Sequence, residues 1–170
     1  MGTSEHSRLK VVVVSCNGIG MLVSTAARLA ALRAQQIRPD RIIVWGAATL
    51  GVEYPRAVSD ANSYPLILID GCRPKCASGV YDEKVEKGII KPSKVGGKVI
   101  GRIYIPEVCV KYGLSLKGEQ RSRYSEKGMK VVEAIADEVI KLVDELIANY
   151  RGESSGQDEE SSEQKKEPSC

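Results

Sequence analysis

Three short runs of aliphatic residues constrain this chain more than any other feature. Residues 9–15 (Leu-Lys-Val-Val-Val-Val-Ser), 41–45 (Arg-Ile-Ile-Val-Trp) and 65–70 (Pro-Leu-Ile-Leu-Ile-Asp) are continuous, not alternating, in apolar character. A strand that is apolar on both sides must be covered on both faces. That situation belongs to a parallel sheet sandwiched between helices. Each run stops at glycine or a polar residue, and helix-compatible sequence follows. Strands alternating with helices specify an α/β, Rossmann-like three-layer domain.

The helical segments fit this scheme. Residues 21–36 are alanine-rich, with Met21, Leu22, Thr25, Leu29 and Leu32 at helical spacing. Residues 46–63 hold a loop and a short helix near 56–61. Residues 76–87 read as a further helix, weakened by Gly79. Residues 88–101 read as loop, 102–105 as a fourth strand, and 108–110 as its candidate extension past Pro106. Ser125 is a suitable N-cap for a long C-terminal helix ending near Tyr150. Its stripe is Val132, Ile135, Val139, Leu142, Val143, Leu146 and Ile147, and Arg151-Gly152 suits its end. The expected fold is thus a four-stranded, mostly parallel sheet with a long C-terminal helix. The expected division is a loose arm over 1–8, a domain over 9–151 and a disordered acidic tail over 152–170. Phenylalanine is absent, so the core must be aliphatic.

Charge narrows the partners. The net charge is +3, but six acids against two bases between 152 and 170 leave the first 151 residues at +7. Such a mildly basic body favours small anionic ligands without calling for nucleic acid. The basic stretch Lys84, Lys87, Lys91, Lys94, Lys98 and Arg102 lacks the interleaved aromatics that stack on single strands. No apolar run approaches the ~18 residues of a membrane span, and 11–14 is too short for a signal-peptide core. The expected location is the cytoplasm, where thiols stay reduced and point to metal or catalysis, not disulfides.

Five cysteines occur, at 16, 72, 76, 109 and 170. Cys16 directly follows the first strand, Cys72 follows the third, and Cys76 lies four residues beyond it. Cys109 sits past the fourth strand candidate. In a parallel sheet the first three share the carboxyl edge, where ligands of such sheets gather, and Cys109 is placed to join them. Four thiolates can satisfy a tetrahedral Zn²⁺. Cys170 is in the tail, and His6, the one histidine, is in the arm. The blander reading is that these cysteines are small core hydrophobes.

Here the chain resembles a known family. Leu66-Ile67-Leu68-Ile69-Asp70-Gly71-Cys72 followed by Cys76-Ala77 is similar to the signature of the DGC-domain (Asp-Gly-Cys) family. Val13-Val14-Ser15-Cys16-Asn17-Gly18 and Thr25-Ala26-Ala27-Arg28-Leu29-Ala30 resemble its first strand, loop and helix. The resemblance implies a compact α/β domain whose cysteines are taken to bind zinc, without a settled reaction. It points to Cys16, Cys72 and Cys76 as metal ligands, with Cys109 a candidate fourth and Asp70 orienting the site. In the family pattern the second strand also ends in a cysteine; here Trp45 stands there. Three thiolates without a fourth would leave an open coordination position, as in catalytic sites.

A second reading concerns Cys16-Asn17-Gly18-Ile19-Gly20. A strand, a glycine-bearing loop and a helix start can cradle an anion, and the same field would make Cys16 nucleophilic. The element resembles the phosphocysteine loop of sugar-phosphotransferase IIB proteins, with Asn17, Gly18 and Gly20 as anion-binding positions. On that alternative the protein is a thiol enzyme acting on a phosphate-like substrate, or carries Cys72 and Cys76 as a redox pair. Asp70 could equally be a turn residue. Arg73 and Lys75 could bind an anion or simply be solvated.

Overall fold

The computed structural model describes residues 9–18 and 20–160, with 151–160 described as backbone only. The arm over 1–8 with His6, and the chain end with Cys170, lie outside the described residues. Four parallel strands form one sheet: β1 (Val11–Ser15), β2 (Ile42–Gly46), β3 (Leu66–Asp70) and β4 (Val99–Tyr104), in the order β2-β1-β3-β4. The register pairs Ser15 with both Gly46 and Ile69, and Asp70 with Tyr104, so all four strands end at nearly the same level.

Alternation along the strands builds two cores. Val11, Val13, Ile67 and Ile69 face one layer, made by α1 (Leu22–Ile37), α5 (Ile105–Tyr112) and α6 (Glu126–Glu160). Val12, Val14, Leu66 and Leu68 face the other, made by α2 (Ala47–Gly51), α3 (Pro55–Ser63) and α4 (Cys76–Glu86). This double burial explains the continuous apolar runs. Each fully buried Val, Leu or Ile contributes roughly 1.5–3 kcal/mol of transfer free energy. Ala26, Ala27, Ala30, Ala31 and Ala34 are wholly buried on α1; their small side chains let α1 lie close to the sheet and to α6. The salt bridges Arg33–Glu133 and Arg38–Asp144, both 3.0 Å, run along the outside of the α1–α6 seam.

The structure corrects the reading of three segments. β4 begins at Val99, earlier than expected, because Val99 pairs with Leu66 and Gly101 with Ile67, Ile100 being the extra residue at the register shift. Residues 108–110 do not extend that strand; they belong to α5, which carries Pro106 in its first turn and ends on Gly113 in the left-handed region (φ +62°). Proline at a helix start costs no hydrogen bond, and glycine at its end is suited to the left-handed turn. The C-terminal helix passes through Gly152, where its end was expected, and runs to Glu160. One interior glycine costs only about 1 kcal/mol relative to alanine.

Candidate functional site

The sheet order fixes where a site can form. β1 leads into α1 on one face, and β3 leads into α4 on the other. The connections therefore diverge above the neighbouring ends of β1 and β3, the crevice where open α/β sheets bind ligands. Cys16 follows β1 and Cys72 follows β3 at that crevice, and Cys76 is the first residue of α4.

The Asp70-Gly71-Cys72 element works residue by residue. Asp70, 3% exposed, turns its carboxylate onto the start of α4. It accepts from the Ala77 amide at 2.8 Å, the Ser78 amide at 3.3 Å and the Ser78 hydroxyl at 2.6 Å. Lys75, at the α4 N-cap, supplies no side-chain cap, so Asp70 takes over that role from the strand end. Its charge also suits a helix N-terminus. Gly71 lies against the first turn of α1. A Cβ there would sit 2.8 Å from the Val23 carbonyl carbon and 3.0 Å from the Ser24 amide nitrogen, too close for any side chain. Gly71 thus lets α1 approach the end of β3, and Cys72 follows beside Cys16.

Cys16 is 4% exposed and extends the β1–β3 ladder, its amide donating to the Ile69 carbonyl at 2.9 Å. Its thiol donates to the Ser24 hydroxyl on α1 at 3.4 Å. Cys72 is half-buried and Cys76 is exposed. Burial pushes the Cys72 thiol above its ordinary value, and the charges of Cys16 and then Asp70 push the same way. Cys76 is raised by burial, by the charges of Cys16 and Cys72, by a hydrogen bond with Cys16, and by Asp70. Cys16, from the end of β1, thus acts on the two thiols that follow β3 at this rim.

Cys109 is placed differently. It lies on α5, half-buried against the first core layer, and burial alone raises its thiol. This helix replaces the expected strand extension. Trp45, where the family pattern has a cysteine, packs into the second core layer. Its indole donates to Asp60 at 3.0 Å, and its ring is tilted against Tyr54 with centroids 5.8 Å apart. It anchors α3 to the sheet.

The Asn17-Gly18 segment lies exposed on the rim. Asn17 accepts from the Ser15 hydroxyl at 2.9 Å and covers Gly46 at the end of β2. Lys75 adopts a left-handed conformation (φ +50°) and sets its ammonium 4.8 Å from the centre of the Tyr104 ring. Sequence reasoning missed Lys84, a buried α4 residue, 3% exposed, whose ammonium meets Glu53 at 2.7 Å. Glu53 is itself left-handed (φ +58°). A lysine that opens a basic stretch gives no hint that it faces inward.

Among the described residues, no three His, Cys, Asp or Glu side chains are gathered tightly enough to hold a metal ion. The donor chemistry nevertheless suits a thiophilic divalent cation. Among the described residues no helix is long and apolar enough to cross a membrane.

The DGC domain family model matches residues 12–91, the span from β1 through α4 and the turn after it. Over this span the chain is similar to the DGC-domain family. No curated protein and no solved structure matches the chain.

Proposed function

We propose that the β1–β3 rim is a thiolate site for a divalent metal ion, Zn²⁺ by donor type, held by Cys16, Cys72 and Cys76. The observation that carries the reading is that Cys16, at the end of β1, raises the thiols of both Cys72 and Cys76 across the switch point of the sheet. Thiols held protonated by a neighbouring thiolate bring unfavourable charge together when ionised. A dication relieves that repulsion and takes the released protons' place. Asp70 would act as a positioning residue, holding the α4 start and with it Cys76. Cys109 is left out, and the fourth coordination position stays open to a small ligand. A nucleophilic role for Cys16 has less support. It is buried, and the raised thiols around it are not the electropositive setting that activates cysteine.

Substitution with Co²⁺ tests this. Titrating the metal-free chain should produce a thiolate-to-metal charge-transfer band that saturates at one equivalent. The band should collapse in Cys16→Ser and in Cys72→Ser and persist in Cys109→Ser. Absence of the band in the unmodified chain would overturn the reading.

A further inference from the structure

A second place on the molecule has the features of a binding site and uses none of the cysteines. A cleft of about 1030 Å³ opens between the first turns of α1 and the connection from α5 to α6. Its cations are Arg28 on α1 and Lys117 and Arg121 on the connection, against the single carboxylate of Glu119. Glu119 is already engaged. It accepts from the Ser125 amide at 2.7 Å and the Ser125 hydroxyl at 2.5 Å, fastening the start of α6. Arg121 donates to the Gly20 carbonyl at 3.1 Å and so ties the connection to the residue before α1. Among the described residues neither Arg28 nor Lys117 forms a salt bridge.

Neighbouring clefts differ in charge. The one beside Lys75 sets Asp70, Asp82 and Glu107 against Lys75 and Arg102. The one along α6 sets Glu126, Glu133 and Asp137 against Lys130. Among these clefts, three bases against one occupied acid occur at the α1 cleft alone. They offer a formal excess of two positive charges, matching a phosphate monoester of about −1.5 to −2 near neutral pH. Guanidinium groups suit phosphate oxygens in geometry as well as charge. The α1 start adds a favourable field, with no side-chain cap and no acid in its first turn. Apolar surface adjoins these charges: Leu22 and Leu116 line the cleft, and Met21 is 54% exposed beside them. An inorganic anion would leave that surface unused.

We propose that this cleft binds a small organic phosphate monoester, with its phosphate between Arg28, Lys117 and Arg121 and its apolar body over Met21, Leu22 and Leu116. The proposal is independent of the metal reading. Phenyl phosphate is a suitable probe, titrated into the full chain at low ionic strength and followed by calorimetry and by amide resonances. It should bind at one equivalent and move the resonances of Gly20 and Leu22, and inorganic phosphate should bind more weakly. Arg28→Gln and Lys117→Gln, both at exposed positions, should each weaken binding about tenfold. Cys72→Ser should bind as the unmodified chain does, which separates this site from the thiol rim. No binding by the unmodified chain, or equal binding by Arg28→Gln and Lys117→Gln, would overturn the proposal. Equal affinity for inorganic and phenyl phosphate would overturn the role given to the apolar surface, and loss of binding in Cys72→Ser would overturn its placement in this cleft.

Discussion

The two inner strands of the sheet end differently from the two outer ones. β2 passes into α2 at Ala47 and β4 into α5 at Ile105 without an intervening loop residue. Their last turns are occupied by aromatics, Trp45 bound to Asp60 and Tyr104 beneath Lys75. β1 and β3, by contrast, release the chain into the segments that carry Cys16 and Cys72 before α1 and α4 begin. The outer ends are closed by local packing. The inner ends are open because their helices leave toward opposite faces. The contrast teaches that the site is located by topology first, and that glycine and aspartate then make the inner ends buildable.

The sharpest way to break that contrast is at Asp70. Asp70→Ala leaves the buried amides of Ala77 and Ser78 and the Ser78 hydroxyl without their acceptor. A loss of about 3 kcal/mol in chemical denaturation is expected; a loss under about 1 kcal/mol would show that α4 does not depend on the strand end. Next comes a pair of glycines at equivalent rim positions. At Gly71 a Cβ meets α1 backbone at 2.8 Å, which cannot yield without moving the helix. Gly71→Ala should cost about 2 kcal/mol. At Gly46 the nearest atom, 2.2 Å away, is the end of the exposed Asn17 side chain, which can swing aside. Gly46→Ala should cost less than about 0.5 kcal/mol. Equal effects at the two positions would remove the distinction between inner and outer ends.

Smaller effects sharpen the comparison further. Trp45→Phe keeps the packing of the outer end and removes one hydrogen bond to Asp60, so about 1 kcal/mol of stability should be lost. Metal content should not change. In the metal-free chain, alkylation of Cys72 and Cys76 should rise with pH through an inflection above the ordinary thiol value of 9.0, because the folded chain holds their protons more tightly. Cys16→Ser removes one of the charges that raise both groups, so their inflections should move to lower pH, whereas Cys109 should keep its own. A shared shift at Cys109 would show that it belongs to the cluster. Metal affinity should strengthen as pH rises toward these values, since coordination needs the thiolate.

Much of this arrangement was legible in the sequence. The runs ending at Ser15, Trp45 and Asp70 announced buried parallel strands, and that alone put Cys16, Cys72 and Cys76 at one edge. The fourth strand was harder, because Gly101 and the glycines before it mask the start of β4. Pro106 read as an interruption, although proline in a first turn with Glu107 after it and Gly113 beyond is also a helix signature. Cys109 therefore sits on a helix and not on a strand end. The cap that Asp70 provides lies outside the helix it serves, so no local spacing rule finds it. The need for glycine at position 71 depends on where α1 lies, and the burial of Lys84 depends on Glu53 in the turn after α2. Both are facts of tertiary packing. The basic cleft joins α1 to residues almost a hundred positions away, which periodicity cannot relate.

The proposed role requires three thiols at the inner strand ends to act as one metal site. Elemental analysis of the chain purified without chelator addresses this most directly. It should find one zinc per chain in the unmodified protein and in Cys109→Ser, and almost none in Cys72→Ser. A metal-free unmodified chain, or zinc retained in full by Cys72→Ser, would contradict it.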